Sequence, residues 1–216
     1  MNHRPLPIAP ATLASGLIHA LGSPLGGPLG AATLVQLPKS DRLDELDFDL
    51  PLTAFNARTI ASVMLDHLPT SDPLHQWFVE AAAGGLGVAL DGMLTGSIDL
   101  VARTTIDGQS RFWLADYKSN LISSGDYSGS SVADLMCSSG YALQATLYLV
   151  ALHRYLRWRL GAAYDPSSQL LGSVYLFLRG MNPENPLPDP AGAHWFRPPI
   201  AAIEALDVLF ATGTRP

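Results

Sequence analysis

Residues 92–120, GMLTGSIDLVARTTIDGQSRFWLADYKSN, constrain this chain more than any other stretch. Residues 96–103 and 111–118 both have the apolar, β-branched and aromatic content of strands, and Asp107-Gly108 lies between them. Asp-Gly in that position is a strong hairpin signal, because a type I′ turn needs positive φ at both central residues. With a two-residue turn Ile106 pairs with Gln109, and counting back along both strands places Asp99 opposite Asp116. Lys118 follows Asp116 by the strand period of two, so all three side chains project from one face.

Two carboxylates about 4 Å apart repel by roughly 4 kcal/mol at an effective dielectric near 20, so a sequence serving stability alone avoids the pair. A divalent cation reverses the sign. Mg²⁺ takes one or two carboxylates and accepts phosphate oxygens, while a neighbouring lysine helps hold or deprotonate water, which is the chemistry of metal-assisted phosphodiester hydrolysis. The competing reading makes Asp99 and Asp116 exposed hairpin acids screened by water, with Lys118 as a salt-bridge partner.

An aspartate followed one hairpin later by D-x-K resembles the PD-(D/E)xK nuclease superfamily. The segments IDLV, LADYKSN, YALQATLYLVALHRYL and GSVYLFLRG resemble the C-terminal nuclease domain of the RecB family, the beta subunit of exodeoxyribonuclease V. The likeness is dense from about residue 43 to 180. It implies an α/β, restriction-endonuclease-like fold with a central mixed sheet flanked by helices, and a Mg²⁺-dependent deoxyribonuclease, like exodeoxyribonuclease V, acting in DNA end processing and recombinational double-strand break repair. It also implies DNA and RecC-like and RecD-like subunits as partners.

By the same resemblance ELDFDLP matches an E-x-E/D-F-x-LP strand whose first acid is an active-site carboxylate, here Glu45. Asp99, Asp116 and Glu45 are then the expected metal ligands, with Lys118 stabilising the nucleophile and the charge that develops on phosphorus. Q-x-x-x-Y, here Gln144 and Tyr148, borders the site in the family; with Tyr141 on the same helix side it forms the expected DNA-contacting set. Such contacts position phosphates without reading bases. The family also carries a GTxxH-type helix upstream, whose histidine binds metal, and no such motif precedes residue 45. This predicts an N-terminally truncated relative, and favours as the rival reading a noncatalytic or impaired scaffold or DNA-binding module on a nuclease fold.

The remaining sequence sets bounds. A chain of 216 residues with 48% hydrophobic and 15% charged content can bury one sizeable core. The single cysteine, Cys137, excludes disulfides, CxxC zinc sites and cysteine-held clusters within one chain, and fits a reducing cytoplasm. There is no uncharged apolar run of membrane-spanning length, the N-terminus MNHRPLPIAP lacks the pattern of a leader, and no phosphate loop is present. A soluble protein without its own ATP-driven motor is expected. The net charge of −6 opposes general affinity for nucleic acid. Local cations must carry that affinity, and His153, Arg154, Arg157 and Arg159 fall together, unless they merely serve a helix C-terminus.

The expected organisation is a poorly specified helix and Gly/Pro-rich segment over 1–40, followed by a nuclease-like domain over 41–216. Within it the patterns predict a strand ending at Pro51, helices over 54–68 and 74–83, and a mobile 119–139 with at most a short helix near 132–136. Beyond these come a long helix over 141–160, a buried strand over 170–178, a proline-rich stretch unable to join a ladder over 183–199, and a last helix over 201–210.

Overall fold

The hairpin is built as the pattern requires. In the structure, a computed structural model describing residues 9–84 and 89–215 with side chains except at 51–55 and 89–92, Asp107 and Gly108 have φ of 52° and 74°. Ile106 pairs with Gln109, and the register runs unbroken to Leu100 opposite Ala115.

In chain order the elements are α1 (Pro10–Leu21), β1 (Pro24–Gly26), β2 (Gly30–Thr33), β3 (Arg42–Asn56), α2 (Ala57–Leu65), α3 (His75–Ala82), β4 (Ala89–Ile106) and β5 (Gln109–Lys118). Then follow α4 (Gly129–Ser138), α5 (Tyr141–Leu160), α6 (Pro166–Gln169), β6 (Leu170–Phe177), β7 (Ala193–Phe196) and α7 (Ile200–Thr212). The main sheet has the order β3-β4-β5-β6-β7; β5 and β6 are parallel and the other neighbours antiparallel. A parallel pair needs a crossover, and the segment carrying α4, α5 and α6 supplies it. This is the expected α/β architecture, a mixed sheet flanked by helices, consistent with a PD-(D/E)xK nuclease-like fold.

Period-two alternation divides the sheet between two cores. Leu114, Tyr175 and Phe177 face the layer of α2, α3, α4, α5 and α7. Trp113, Ala115, Val174 and Leu176 face the opposite way and meet Ala20, Leu25 and Leu34 of the N-terminal segment. The Trp195 indole N–H donates to the Leu25 carbonyl at 2.8 Å, tying that segment to β7.

Four local expectations are corrected. The strand expected to stop at Pro51 continues to Asn56; β3 is the sheet edge, where a missing N–H breaks no ladder if it faces outward. The helix therefore starts at Ala57, with the Asn56 side chain accepting from Thr59 N–H as its cap. The proline-rich stretch contains β7, whose residues 193–196 pair with β6 between flanking prolines. Residues 119–139 hold the ten-residue α4 and, before it, Tyr127, which is buried and whose hydroxyl accepts from Ile122 N–H and donates to the Asn120 carbonyl. Most of the N-terminus read for a leader, and the side chains of residues 54 and 55 at the start of the helix expected over 54–68, lie outside the described residues. No single helix among those described is long and apolar enough to cross a membrane.

Candidate active site

The two strands of the hairpin part where the acids sit. Up to Leu100 and Ala115 they pair with each other; beyond, β4 stays with β3 as far as Ala89 while β5 stays with β6 to Lys118 opposite Phe177. Asp99 and Asp116 are the next residues in register at this fork. The Asp99 carboxylate bridges it, accepting the Tyr117 backbone N–H at 2.8 Å in place of a ladder carbonyl.

The neighbouring strand is distorted at the same level. Glu45 falls between the pairs Asp44–Leu100 and Leu46–Ile98, across from Asp99, and has a φ of 55°. Left-handed backbone is unusual for a non-glycine residue and re-aims a strand. Leu46, Phe48, Leu50 and Ile98 face the helical layer on one side of this point, whereas Val101 does so on the other side and Leu100 joins the opposite core. The alternation thus changes phase at Glu45 and Asp99.

Asp116 is only 3% exposed and ion-pairs with Lys118. Burial pushes its carboxyl above the ordinary value; Lys118 pulls the other way and the Asp99 charge adds to the rise. The Lys118 side chain is itself largely buried, its Nζ lying 4.0 Å from the centre of the Tyr141 ring and 5.2 Å from that of Tyr175. It donates to Gln144 Oε1 at 3.0 Å, and the Tyr175 hydroxyl donates to the same oxygen at 3.1 Å. Gln144 Nε2 in turn donates to the Tyr148 hydroxyl at 3.0 Å. Two donors on one side and one acceptor on the other fix the amide's orientation.

Tyr148 stands edge-on to Phe48 with ring centres 5.4 Å apart. Burial raises its phenol pKa, Gln144 lowers it, and the charges of Asp116 and Asp99 add to the rise, so α5 presents Tyr148 to both acids. Tyr141 donates to Asn120 Oδ1 at 3.1 Å. Phe48 lies over Gly96, where a Cβ would come within 2.7 Å of the ring; a side chain at that glycine would displace Phe48 from the wall of the site.

Of the expected site residues, Asp99, Asp116, Lys118, Gln144, Tyr148 and Tyr141 therefore come together. Glu45 is on the adjoining strand with its side chain exposed, and among the described residues no group of three or more His, Cys, Asp or Glu is arranged to hold a metal ion. The groups present are of the kind a small hard cation takes: two carboxylates at one fork, one of them buried and with its charge disfavoured by its surroundings. Tyr175 escaped sequence reasoning. The only signal was a phenol inside the apolar run LLGSVYLFL, a group that usually finds a partner when buried.

The cationic cluster near the end of α5 is mostly committed elsewhere. Arg154 and Arg157 each meet the Asp207 carboxylate of α7 at 2.5 Å, and His153 is buried with Nδ1 3.2 Å from the Tyr164 hydroxyl. Arg103 pairs with Asp41, and Arg179 donates to the Ser119 carbonyl. Of the two readings of this cluster, local cations for nucleic acid or charges serving the helix end, these contacts leave only Arg159 of the three arginines free of Asp207.

No protein-family model matches the chain. The RecBCD enzyme subunit RecB of Mycolicibacterium smegmatis is 37% identical over 227 aligned positions, which cover 96% of this chain and 20% of that relative. The subunit of the same name from Mycobacterium tuberculosis is 39% identical over 216 positions, covering 93% of the chain and 19% of the relative. That of Escherichia coli is 37% identical over 182 positions, 83% of the chain and 14% of the relative. The chain thus spans about a fifth of the length of the mycobacterial relatives.

Proposed function

The chain belongs to the RecB family, matching a C-terminal region of that subunit, and from this we propose that it is a Mg²⁺-dependent deoxyribonuclease acting on linear DNA ends. The observation that carries the reading is the fork itself. It gathers two carboxylates and a lysine, with Asp116 buried against its own charge, and holds the lysine by Gln144, to which Tyr175 also donates.

Asp99 and Asp116 would hold the cation, with Glu45 completing or tuning the donor set from β3. Bound there, Mg²⁺ supplies Lewis-acid activation of water and neutralises phosphate charge. The remaining work falls to the chain's own groups. Lys118, held by Gln144 and the two tyrosine rings, stabilises the negative charge that grows on the phosphate oxygens as the P–O bond breaks. Gln144 and Tyr148 border the strand and orient its phosphates, and Phe48 closes the wall behind Tyr148. None of these groups reads base identity, so cleavage is largely indifferent to sequence.

The relatives' names place them in the RecBCD enzyme; the proposed setting is therefore DNA end processing and double-strand break repair in the cytoplasm, beside RecC-like and RecD-like subunits. The rival reading, a noncatalytic or impaired scaffold or DNA-binding module, draws on the exposed Glu45 side chain standing apart from the two aspartates. Degradation of linear single-stranded and duplex DNA decides between them. The chain cleaves with Mg²⁺, and EDTA, Asp116→Ala and Lys118→Ala each reduce the rate by about a hundredfold or more. Folded protein that does not cleave, or cleavage unchanged in Asp116→Ala, defeats the nuclease reading.

A further inference from the structure

The fork is not the only opening along α5. Counting back along the hairpin from Asp99 and Asp116, Val101–Leu114 is the second row and Arg103–Phe112 the fourth, both on the face of β5 that carries Asp116. At about 3.3 Å per residue, Phe112 lies about 13 Å along β5 from Asp116. Tyr155 lies seven residues beyond Tyr148 on α5, about 10 Å away at 1.5 Å per residue. Between these two elements is a groove of about 300 Å³, with Leu43, Phe112 and Tyr155 along it and Arg42, Arg103 and Arg159 at its rim.

Three properties distinguish this groove from ordinary surface. Its lining has three arginines and one acid, Asp41, in a chain that has 13 basic to 19 acidic residues. Arg103 pairs with Asp41 and Arg42 with Asp44, but Arg159 is exposed and has no hydrogen-bond or ion-pair partner among the described residues. Its apolar side reaches solvent at Leu43, which is 43% exposed, and at the half-buried rings of Phe112 and Tyr155; outside the groove Trp158, whose ring centre is 6.1 Å from that of Tyr155, is 76% exposed. The helix dipole accounts for a cation in the last turn of α5. It does not account for open aromatic and aliphatic surface beneath that cation.

Aromatic rings beside a cation are what a single-stranded nucleic acid uses, with bases stacked on the rings and phosphate on the guanidinium group, and Arg159 is the one such cation here not already ion-paired among the described residues. We infer that the groove between β3, β5 and the C-terminal half of α5 is a second contact site for a single DNA strand, with Tyr155 and Phe112 receiving bases and Arg159 a phosphate. It lies on the same face of the sheet as the carboxylates, about three or four nucleotides from the bond cut at the ~3.4 Å spacing of a stacked strand. The inference rests on the nuclease reading for its substrate, and it gives a chain of net charge −6 a local cation for a phosphate.

The test is binding of a fluorescent single strand of about 16 nucleotides, the upper site size of such grooves, to the chain in EDTA at several salt concentrations. Arg159→Ala, an exposed position whose Tm should match the unmodified chain, raises Kd about three- to tenfold and lowers the slope of log K against log salt by about 0.7. Arg58→Ala, which removes the same charge from α2 outside the groove, changes Kd by less than about twofold. Equal effects of the two substitutions, an unchanged salt slope in Arg159→Ala, or binding by the unmodified chain weaker than about 10⁻⁴ M overturns the inference. Because no metal is present, binding through Arg159 by a chain that cleaves nothing with Mg²⁺ sinks the nuclease reading and keeps the groove. Cleavage by a chain indifferent to Arg159 does the reverse.

Discussion

Asp116 has a charge that its surroundings disfavour. Burial raises its pKa first, Lys118 opposes the rise, and Asp99 adds to it. The folded chain therefore holds the Asp116 proton more tightly than the unfolded chain does. The stability this contributes is complete below the unfolded value of 3.8 and is lost as pH rises through the higher folded value. Asp99→Asn keeps an oxygen for the Tyr117 N–H and removes one of the two charges. In metal-free protein at neutral pH it should raise Tm by about 2–4 °C, the equivalent of about 1 kcal/mol in a domain of this size; a clear fall would show that the pair is structural. At this scale the sequence was informative wherever spacing decides geometry. Asp99, Asp116 and Lys118 follow from a two-residue turn and a period of two. Tyr175 was not legible, because a hydroxyl in an apolar strand does not name its partner. The left-handed backbone of Glu45 went unread as well, although LDELDFDL breaks its alternation there: Leu43 and Leu46 stand three apart with two acids between them, and only from Leu46 on is the period two.

Elements were legible where their ends are written locally. The bounds of α5, residues 141–160, match the apolar pattern between Gly140 and Gly161, both at positive φ, and the turn of the hairpin is fixed by Asp107-Gly108. Where an element depends on its neighbours the reading failed. Pro51 looks like a terminus until β3 is known to be an edge. The four residues of β7 form a strand only because β6 offers an open side, and no local signal in PAGAHWFRPP specifies that pairing. The arginines of α5 were ambiguous for the same reason: their partner, Asp207, is 50 or more residues away in sequence. Only the packing of α7 on α5 separates Arg154 and Arg157, which join two helices, from Arg159, which faces the groove.

Across the whole molecule, a sheet with a core on each face places its acids where the two hairpin strands separate, and two histidines are buried, His194 on β7 and His153 on α5. His194 lies beside Tyr175 in the β6–β7 ladder, and burial lowers its pKa to about 4 from 6.5. Its folded value is below its unfolded one, so the stability it gives is present above pH 6.5 and is lost as pH falls from there through about 4, on the order of 3 kcal/mol in all. Burial lowers His153 in the same direction. Denaturant unfolding across this window should show stability dropping with acid, and His194→Leu should flatten the slope by about 1.4 kcal/mol per pH unit; an unchanged slope would mean that His194 is solvated.

The central claim is that Asp99 and Asp116 face each other in order to hold a divalent cation. Calorimetric titration of Mg²⁺ into metal-free protein tests it without depending on DNA, on partner subunits or on turnover. The account predicts binding by the unmodified chain, accompanied by a Tm that rises by about 5–10 °C when Mg²⁺ exceeds Kd a hundredfold, and an affinity at least about tenfold weaker in Asp116→Asn. Equal affinity in the two proteins, or no binding by either, would contradict it.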